Sequence, residues 1–309
     1  MLKLPNYVLV TPARNEAQFI EATIKSVVAQ SMRPLKWVIV SDGSTDGTDE
    51  IVSRYAVAYE WIELLRMPER TERNFAGKAF AFKAGKMALD DLPYDVIANL
   101  DADITIDRDY FKYLLGKLAV DPLLGVVGTP YIEKTGETFD YRFTSLDHVS
   151  GACQVFRREC YEGIGGYVPV KVGTIDCIAV MAARMKGWKT RTFTDKASQH
   201  HRNVGTAQCG PVKANFYTGV MDYTMGNHPL WQLFRTAYQM SRKPLIVRGA
   251  ALGVGYLWAS VRRNPRPMSH ELMQFHRHEQ MQSLRSRITG RPFAGEDPLL
   301  SREGAHEAR

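Results

Sequence analysis

Short strand-like runs alternate with segments of helical periodicity in the N-terminal part of the chain. Four runs have the composition of strands: Tyr7–Val10, Trp37–Val40, Glu63–Leu65 and Val96–Ala98. Three segments between them have the periodicity of helices: the region of Ile20, Ile24, Val27 and Val28, then Asp49–Tyr59 and Lys78–Leu89. Strands that alternate with helices favour right-handed crossovers. We therefore predict an α/β fold with a mostly parallel sheet flanked by helices.

Two carboxylates follow the fourth of these runs, in the sequence Asp101-Ala102-Asp103. Open α/β sheets bind ligands at the carboxyl ends of their strands. A chain that turns into a loop there can spread both carboxylates around one cation, and oxygen ligands suit Mg²⁺ or Mn²⁺ shared with a diphosphate. The alternative is a solvated pair, or a cap for the helix that begins near Asp107. The pair alone does not decide between these interpretations.

Another acidic residue is placed for nucleotide recognition. Asp42 lies at the end of the second predicted strand, in the turn-rich loop Ser41–Thr48. A carboxylate there can accept hydrogen bonds from a nucleobase or a ribose, although the same loop can simply cap the helix that follows. Three cations between the third and fourth strands could meet phosphate or remain solvated: Arg73, Lys78 and Lys83.

Glycine-rich phosphate loops do not follow the first predicted strand. Neither the ATPase pattern G-x-x-x-x-G-K-[ST] nor the dinucleotide pattern G-x-G-x-x-G occurs there, which disfavours ATP hydrolysis and nicotinamide redox chemistry. The four cysteines form no Cys-x-x-Cys pair, and Met1–Pro5 leads directly into a strand without a secretory signal. We therefore expect reduced thiols in a cytoplasmic protein.

Several motifs occur in an order that resembles one known family. They are Thr11–Glu16, Val40–Thr48, Gly77–Lys78 and Asp101–Asp103. Together they resemble the family 2 glycosyltransferases with the A-type, nucleotide-diphospho-sugar-binding fold, over about residues 5 to 210. The resemblance implies inverting transfer of a sugar from a nucleotide diphosphate. Arg14 and Ser41 depart from the family pattern, which often has Tyr and Asp at those positions.

The resemblance to this family also implies a set of binding residues. The predicted nucleotide-sugar-binding residues are Pro12, Ala13, Glu16, Asp42, Lys78, Asp101, Ala102 and Arg202, and the predicted metal ligands are Asp101, Asp103 and His201. His201 and Arg202 follow a predicted strand, Lys189–Phe193. A histidine there could complete a metal shell and the arginine could bind phosphate, whereas the alternative is a hydrogen-bonded structural histidine.

The second half of the family pattern predicts the catalytic base. Asp176 precedes a predicted helix that runs to Met185 and is closed by Gly187. The family usually has Glu-Asp at this point, with the Asp as base and a Gly eleven residues later; Asp176 and Gly187 keep that spacing, and Ile175 replaces the Glu. A positioned base typically contributes ~10²–10⁴-fold to the rate. The alternative is a helix cap at Asp176.

The C-terminal part has a different character. Residues 242 to 291 contain nine Arg and one Lys against two Glu, a net charge of +8 in a chain of net charge +7. Leu245–Val261 is nearly all apolar but contains Arg248, and at this length it falls short of the ~20 residues of a typical spanning helix. Apolar groups among arginines suit an anionic lipid surface. A solvated helical subdomain or a homodimer arm is the alternative.

Together these patterns predict a catalytic domain at 1–215, a helical extension at 216–291 that associates with a membrane or an oligomer, and a flexible tail at 292–309. The predicted enzyme is an inverting glycosyltransferase that uses Mg²⁺ or Mn²⁺ at the inner face of the cell membrane. Its acceptor would be a lipid-linked saccharide or an envelope polysaccharide, and nucleic acid is not an expected partner. The alternatives are a sugar nucleotidyltransferase or a non-catalytic nucleotide-sugar-binding subunit.

Overall fold

The computed structural model describes residues 3–69, 75–133, 145–171, 173–202, 210–241 and 245–289. The chain divides into two compact units, Met1–Val204 and Gly205–Arg309. The first unit therefore ends before the predicted domain boundary at residue 215. The predicted tail, and Arg73 among the predicted cations, lie outside the described residues.

The first unit alternates strands and helices. Its described strands are β1 (Tyr7–Ala13), β2 (Trp37–Ser41), β3 (Ile62–Arg66), β4 (Val96–Leu100), β5 (Ile104–Thr105), β6 (Leu124–Gly128), β7 (Tyr131–Glu133), β8 (Cys153–Arg157), β9 (Lys189–Thr192) and β10 (Ser198–His200). Its described helices are α1 (Ile20–Val28), α2 (Thr48–Ala58), α3 (Ala76–Met87), α4 (Tyr110–Val120), α5 (Arg158–Gly163) and α6 (Ile175–Met185). Each strand and helix predicted between Tyr7 and Leu89 is present, with its ends shifted by a few residues at most.

One seven-stranded sheet organises this unit, in the order β3-β2-β1-β4-β8-β6-β9. Its strands are parallel except β8, which runs antiparallel to both β4 and β6. A small sheet, β5-β10-β7, lies beyond the end of β4. The predicted mostly parallel sheet flanked by helices is confirmed. Because β1, β2 and β4 run in the same direction, the loops that follow them lie at one edge of the sheet.

The central strands are buried because helices cover both faces of the sheet. On one face, Leu9 and Trp37 join the core residues of α1 and α4. On the other, α3 comes so close that a Cβ at Gly85 would lie 2.6 Å from Val10 Cγ1 and 2.9 Å from Val40 Cγ2. Glycine at this position lets α3 pack directly on β1 and β2, which places its first turn beside the end of β4.

The second unit is helical in its described residues: α7 (Pro211–Thr224), α8 (Pro229–Met240), α9 (Val247–Val261) and α10 (His270–Thr289). Glycines permit close helix packing, since a Cβ at Gly255 would overlap the Phe216 carbonyl of α7 and one at Gly249 would overlap the Thr236 carbonyl of α8. The predicted C-terminal helices are confirmed. Within the described ranges, no helix combines the length and apolar character that a membrane span requires.

Candidate active site

The loops that follow β1 and β2 are tied together by side chains. Asn15, whose φ is 55°, accepts a hydrogen bond through Oδ1 from the backbone N–H of Thr45 at 2.8 Å. The backbone N–H of Glu16 donates to Thr48 Oγ1 at 2.8 Å. The residue that caps α2 is Gly47, in a left-handed conformation with φ 90° and without a side-chain cap. Hydrogen bonds of these side chains therefore connect the loop after β1 to the loop after β2 at the edge of the sheet.

The predicted nucleoside residues meet at this edge. Pro12 and Ala13 end β1, and the backbone N–H of Asp42 donates to the Ala13 carbonyl at 2.9 Å. The Asp42 side chain is buried, with Oδ2 3.7 Å from Nη1 of Arg14. Arg14, where the family often has Tyr, therefore forms an ion pair with the carboxylate that is predicted to recognise the nucleoside.

Asp101 begins the loop after β4, and a lysine from α3 neutralises it. Its Oδ1 forms an ion pair with Lys78 Nζ and is 3.3 Å from Asn99 Nδ2. Burial raises the pKa of the Asp101 carboxyl, the charge of Lys78 opposes that shift, and the charge of Asp103 reinforces it. Cationic charge at this point therefore favours the ionised form of Asp101.

Asp103 lies between a histidine and an arginine. Its Oδ2 is 3.4 Å from His200 Nε2 and 3.5 Å from Arg202 Nε. Nη2 of the same arginine donates to Glu16 Oε2 at 2.6 Å. Burial alone would raise the pKa of Asp103, but the hydrogen bond and charge of His200 and the charge of Arg202 hold it below its ordinary value. Asp103 is thus ionised at neutral pH.

His200, the last residue of β10, and His201, which follows it, have different surroundings. His201 Nε2 is 3.0 Å from Thr105 Oγ1, and its ring stacks on Phe19 with 6.4 Å between the centroids. Successive side chains of an extended chain point to opposite faces, so only one of the two can face Asp103. That residue is His200. A role of His201 as a metal ligand stays a prediction.

Ala102, in the loop after β4, and Lys83, on α3, lie apart from these charged contacts. The Ala102 side chain is buried in the core, and its carbonyl accepts a hydrogen bond from Thr23 Oγ1 at 2.8 Å. Lys83 is exposed on α3. The helix predicted near Asp107 begins at Tyr110 without a side-chain cap, so capping does not account for Asp101 or Asp103.

Gly151 joins the Asp101 loop to Asp176. Its carbonyl accepts hydrogen bonds from Lys78 Nζ and Asn99 Nδ2, each at 2.8 Å. Its N–H donates to Asp176 Oδ2 at 2.9 Å. Lys78 therefore contacts both the Asp101 carboxylate and the residue that holds Asp176. Asp101 and Asp176, which lie far apart in the sequence, are therefore connected through Lys78 and Gly151.

Asp176 does not cap its own helix. The N-cap of α6 is Thr174, with φ 70° and no side-chain cap, and Asp176 lies in the first turn. Ile175, at the position where the family usually has Glu, is buried in the core. Ligand atoms of His148 and Cys177 both lie within 4.8 Å of the Asp176 carboxylate. Burial lowers the pKa of His148, which the charge of Asp176 opposes and that of Arg184 reinforces.

The loop that supplies Gly151 and His148 was not predicted from sequence. Side chains of the surrounding strands hold its backbone carbonyls: Thr190 Oγ1 donates to Asp147 O at 2.6 Å, Thr192 Oγ1 to His148 O at 2.6 Å and Gln154 Nε2 to Val149 O at 2.8 Å. These bonds keep the loop in one conformation beside α6. Gly151 acts through its backbone N–H and carbonyl, and a single glycine in the sequence does not identify such a role.

The acidic loops at the carboxyl edge of this α/β sheet lie where such sheets bind nucleotides, which defines a nucleotide-binding class of α/β protein. The chain belongs to the family described as Glycosyl transferase family 2, whose sequence model matches residues 8–185. That range contains every predicted site residue except His201 and Arg202. The predicted family and enzyme class are thereby confirmed.

The curated relatives share limited sequence identity with this chain. The poly-beta-1,6-N-acetyl-D-glucosamine synthase of Staphylococcus aureus is 24% identical over 196 residues, which cover 57% of this chain and 45% of the relative. The probable glycosyltransferase YdaM of Bacillus subtilis is 29% identical over 153 residues, covering 48% of this chain and 35% of the relative. The chain therefore spans less than half the length of these relatives.

Solved structures share the fold. Mannosyltransferase PcManGT from Pyrobaculum calidifontis, in complex with GDP-Man and Mn²⁺, aligns with a TM-score of 0.56 and 22% identity, over 99% of this chain and 81% of that one. Residues 1–349 of S. aureus TarS, in complex with UDP-GlcNAc, align with a TM-score of 0.56 and 15% identity, over 94% of this chain and 95% of that one. At these identities the likeness establishes the fold alone.

Proposed function

We propose that this glycosyltransferase inverts the configuration of the sugar that it transfers and depends on Mg²⁺ or Mn²⁺. The observation that carries the proposal is the connection through Gly151, which joins Asp176 to the Lys78–Asp101 ion pair. Inversion by direct displacement needs a donor site and a single base beside it. The arrangement provides one carboxylate for the base and two for the donor side.

The metal would be held by Asp103 and His200, with Asp101 beside them. Asp103 Oδ2 and His200 Nε2 are 3.4 Å apart, close to the ~3 Å between neighbouring ligands of an octahedral ion with bonds of 2.0–2.1 Å. Carboxylate oxygens such as those of Asp101 and Asp103 suit Mg²⁺ or Mn²⁺, and PcManGT binds Mn²⁺ together with GDP-Man. When bound, the ion supplies positive charge to the departing nucleotide diphosphate.

Other residues of the chain would act as the base, stabilise the diphosphate and bind the nucleoside. Asp176 takes the proton of the attacking acceptor hydroxyl, and its bond from the Gly151 N–H fixes the direction of the carboxylate. Lys78 and Arg202 add positive charge beside the diphosphate. Asp42 and Glu16 accept hydrogen bonds from the nucleoside at the ends of β1 and β2, where Pro12 and Ala13 shape the pocket. The family match favours this transfer over nucleotidyl transfer.

Thermal unfolding with nucleoside diphosphates tests the donor site. A diphosphate at about 100 times its Kd is expected to stabilise the protein by ~2.7 kcal/mol, and only when Mn²⁺ is present. Asp103→Asn should abolish the dependence on Mn²⁺, whereas Asp91→Asn, at an exposed position between α3 and β4, should retain it. Equal stabilisation of the wild type with and without the ion would contradict a metal-dependent donor site.

We also propose that the second unit attaches the enzyme to the inner face of the cell membrane, so that the acceptor is a lipid-linked saccharide or envelope polysaccharide. Among the exposed apolar side chains of helix α9, four lie at the spacing of a single helix face: Val254, Leu257, Trp258 and Val261. The Arg262 guanidinium lies 5.3 Å from the centre of the Trp258 ring. An apolar face bordered by arginine suits anionic lipid.

Vesicle binding tests this surface. Wild-type protein should bind vesicles of phosphatidylglycerol more tightly than vesicles of phosphatidylcholine. Leu257→Glu should weaken binding about tenfold or more, because burial of a leucine contributes ~1.5–3 kcal/mol. Val57→Glu, at a residue of α2 that is 90% exposed, is the control and should bind normally. Unaltered binding of Leu257→Glu, or dimerisation through this face without vesicle binding, would contradict the proposal.

A further inference from the structure

The proposed base belongs to a cluster of three side chains that carry possible metal ligands. His148, Asp176 and Cys177 each offer a ligand atom, and these atoms all lie within 4.8 Å of one another. The three side chains are each partly exposed to solvent. They differ in chemistry from Asp101 and Asp103, because a thiolate and an imidazole select Zn²⁺ over Mg²⁺ or Mn²⁺.

The elements that carry these residues are held in place before any ion arrives. The His148 N–H donates to Ser145 O at 3.0 Å and its carbonyl accepts from Thr192 Oγ1 at 2.6 Å. Asp176 and Cys177 are neighbours in the first turn of α6, and the Gly151 N–H holds Asp176. Ligands on a fastened loop and a helix need little rearrangement to converge on one ion.

We propose that His148, Asp176 and Cys177 form a site for Zn²⁺ or a similar thiophilic ion, which inhibits transfer by occupying the base. Binding releases the thiol proton to solvent and leaves a position of the tetrahedral ion for water. An ion coordinated by the Asp176 carboxylate lowers the basicity of the group that would take the acceptor's proton. The inhibitory consequence rests on the proposed role of Asp176, whereas the binding site itself does not.

Co²⁺ is the probe for the binding site, because a cobalt–thiolate bond gives a near-ultraviolet charge-transfer absorption that oxygen and imidazole ligands do not. In the 309-residue chain with excess Mg²⁺, we expect this absorption to saturate at one equivalent of Co²⁺. Cys177→Ser should abolish it, and His148→Gln should weaken Co²⁺ binding beyond the ~10–100-fold loss that outer-shell changes cause. Cys209→Ser, at another of the four cysteines, is the control and should retain the absorption.

The other described cysteines cannot easily imitate this signal. Cys153 and Cys160 are buried, and burial raises the pKa of each thiol to about 12. Absence of the absorption, or its survival in Cys177→Ser, would overturn the site and leave the proposed transfer reaction untouched. In turnover assays at saturating Mn²⁺, Zn²⁺ should inhibit the wild type and have at least tenfold less effect on Cys177→Ser, each compared with its own rate without Zn²⁺. Equal inhibition of both proteins would overturn the inhibitory role.

Discussion

Asp176→Asn is expected to lower kcat by about 10²–10⁴-fold while donor affinity stays within a few-fold of wild type. An asparagine oxygen can still accept the hydrogen bond from the Gly151 N–H, so the local geometry is retained. A carboxamide cannot take a proton from the acceptor hydroxyl at neutral pH. The measurement is steady-state turnover with varied donor, together with calorimetric binding of the nucleoside diphosphate.

Asp49→Asn is the matched control for this variant. Asp49 is the second residue of α2, as Asp176 is of α6, and its carboxylate forms an ion pair with Arg66 at 2.7 Å. Its substitution should leave turnover near wild type. Full turnover of Asp176→Asn would place the base elsewhere. Loss of donor binding in parallel with turnover would assign Asp176 to donor recognition, and would leave a non-catalytic role for the carboxylate.

Gly151→Ala is expected to lower kcat by about 10²-fold, because displacement of a reacting group by ~1 Å can cost that much. A Cβ at Gly151 would lie 2.8 Å from Asp176 Oδ2 and 2.9 Å from Asp176 Cβ. Asp176 must therefore move, although alanine keeps the N–H and carbonyl that form the network. Donor binding should change little, since Lys78 and Asp101 still meet the same carbonyl.

A second glycine separates this effect from general damage. Gly163→Ala, at the end of α5, would meet no atom within 4 Å and should retain turnover. Thermal unfolding of Gly151→Ala reports whether the fold survives, and the split between kcat and the donor KM reports whether the defect is confined to the base. Wild-type turnover in a folded Gly151→Ala would contradict positioning of Asp176 by this glycine.

The sequence predicts the first half of the fold because its signals are local. Residues Tyr7–Val10 of β1 and all of β2 and β4 are buried, and α1 buries one apolar face. The reversed direction of β8 was not predicted, because strand direction depends on pairing with β4 and β6, which lie apart from it in the chain. The position of the loop that contains Gly151 was not predicted for the same reason, because it depends on contacts between segments that lie apart in the chain.

The sequence likewise predicts some residues of the candidate site but not the contacts between them. Asp42, Asp101 and Asp103 were identifiable because each follows a strand at the ligand-binding edge of the sheet. The contact of His200 with Asp103 depends on which face of β10 each side chain takes, and adjacent histidines look equivalent in sequence. The ion pair between Lys78 and Asp101 requires α3 to approach the sheet closely, which Gly85 permits only in the folded chain.

Anomalous diffraction from crystals soaked with Mn²⁺ and a nucleoside diphosphate would locate the metal ion and the donor diphosphate. We predict a manganese peak bound by Asp103 and His200, with the diphosphate between that ion and Lys78, and Asp176 still bonded to the Gly151 N–H. A manganese peak distant from Asp101 and Asp103, with the nucleotide bound elsewhere on the sheet, would contradict a metal-dependent donor site at this edge.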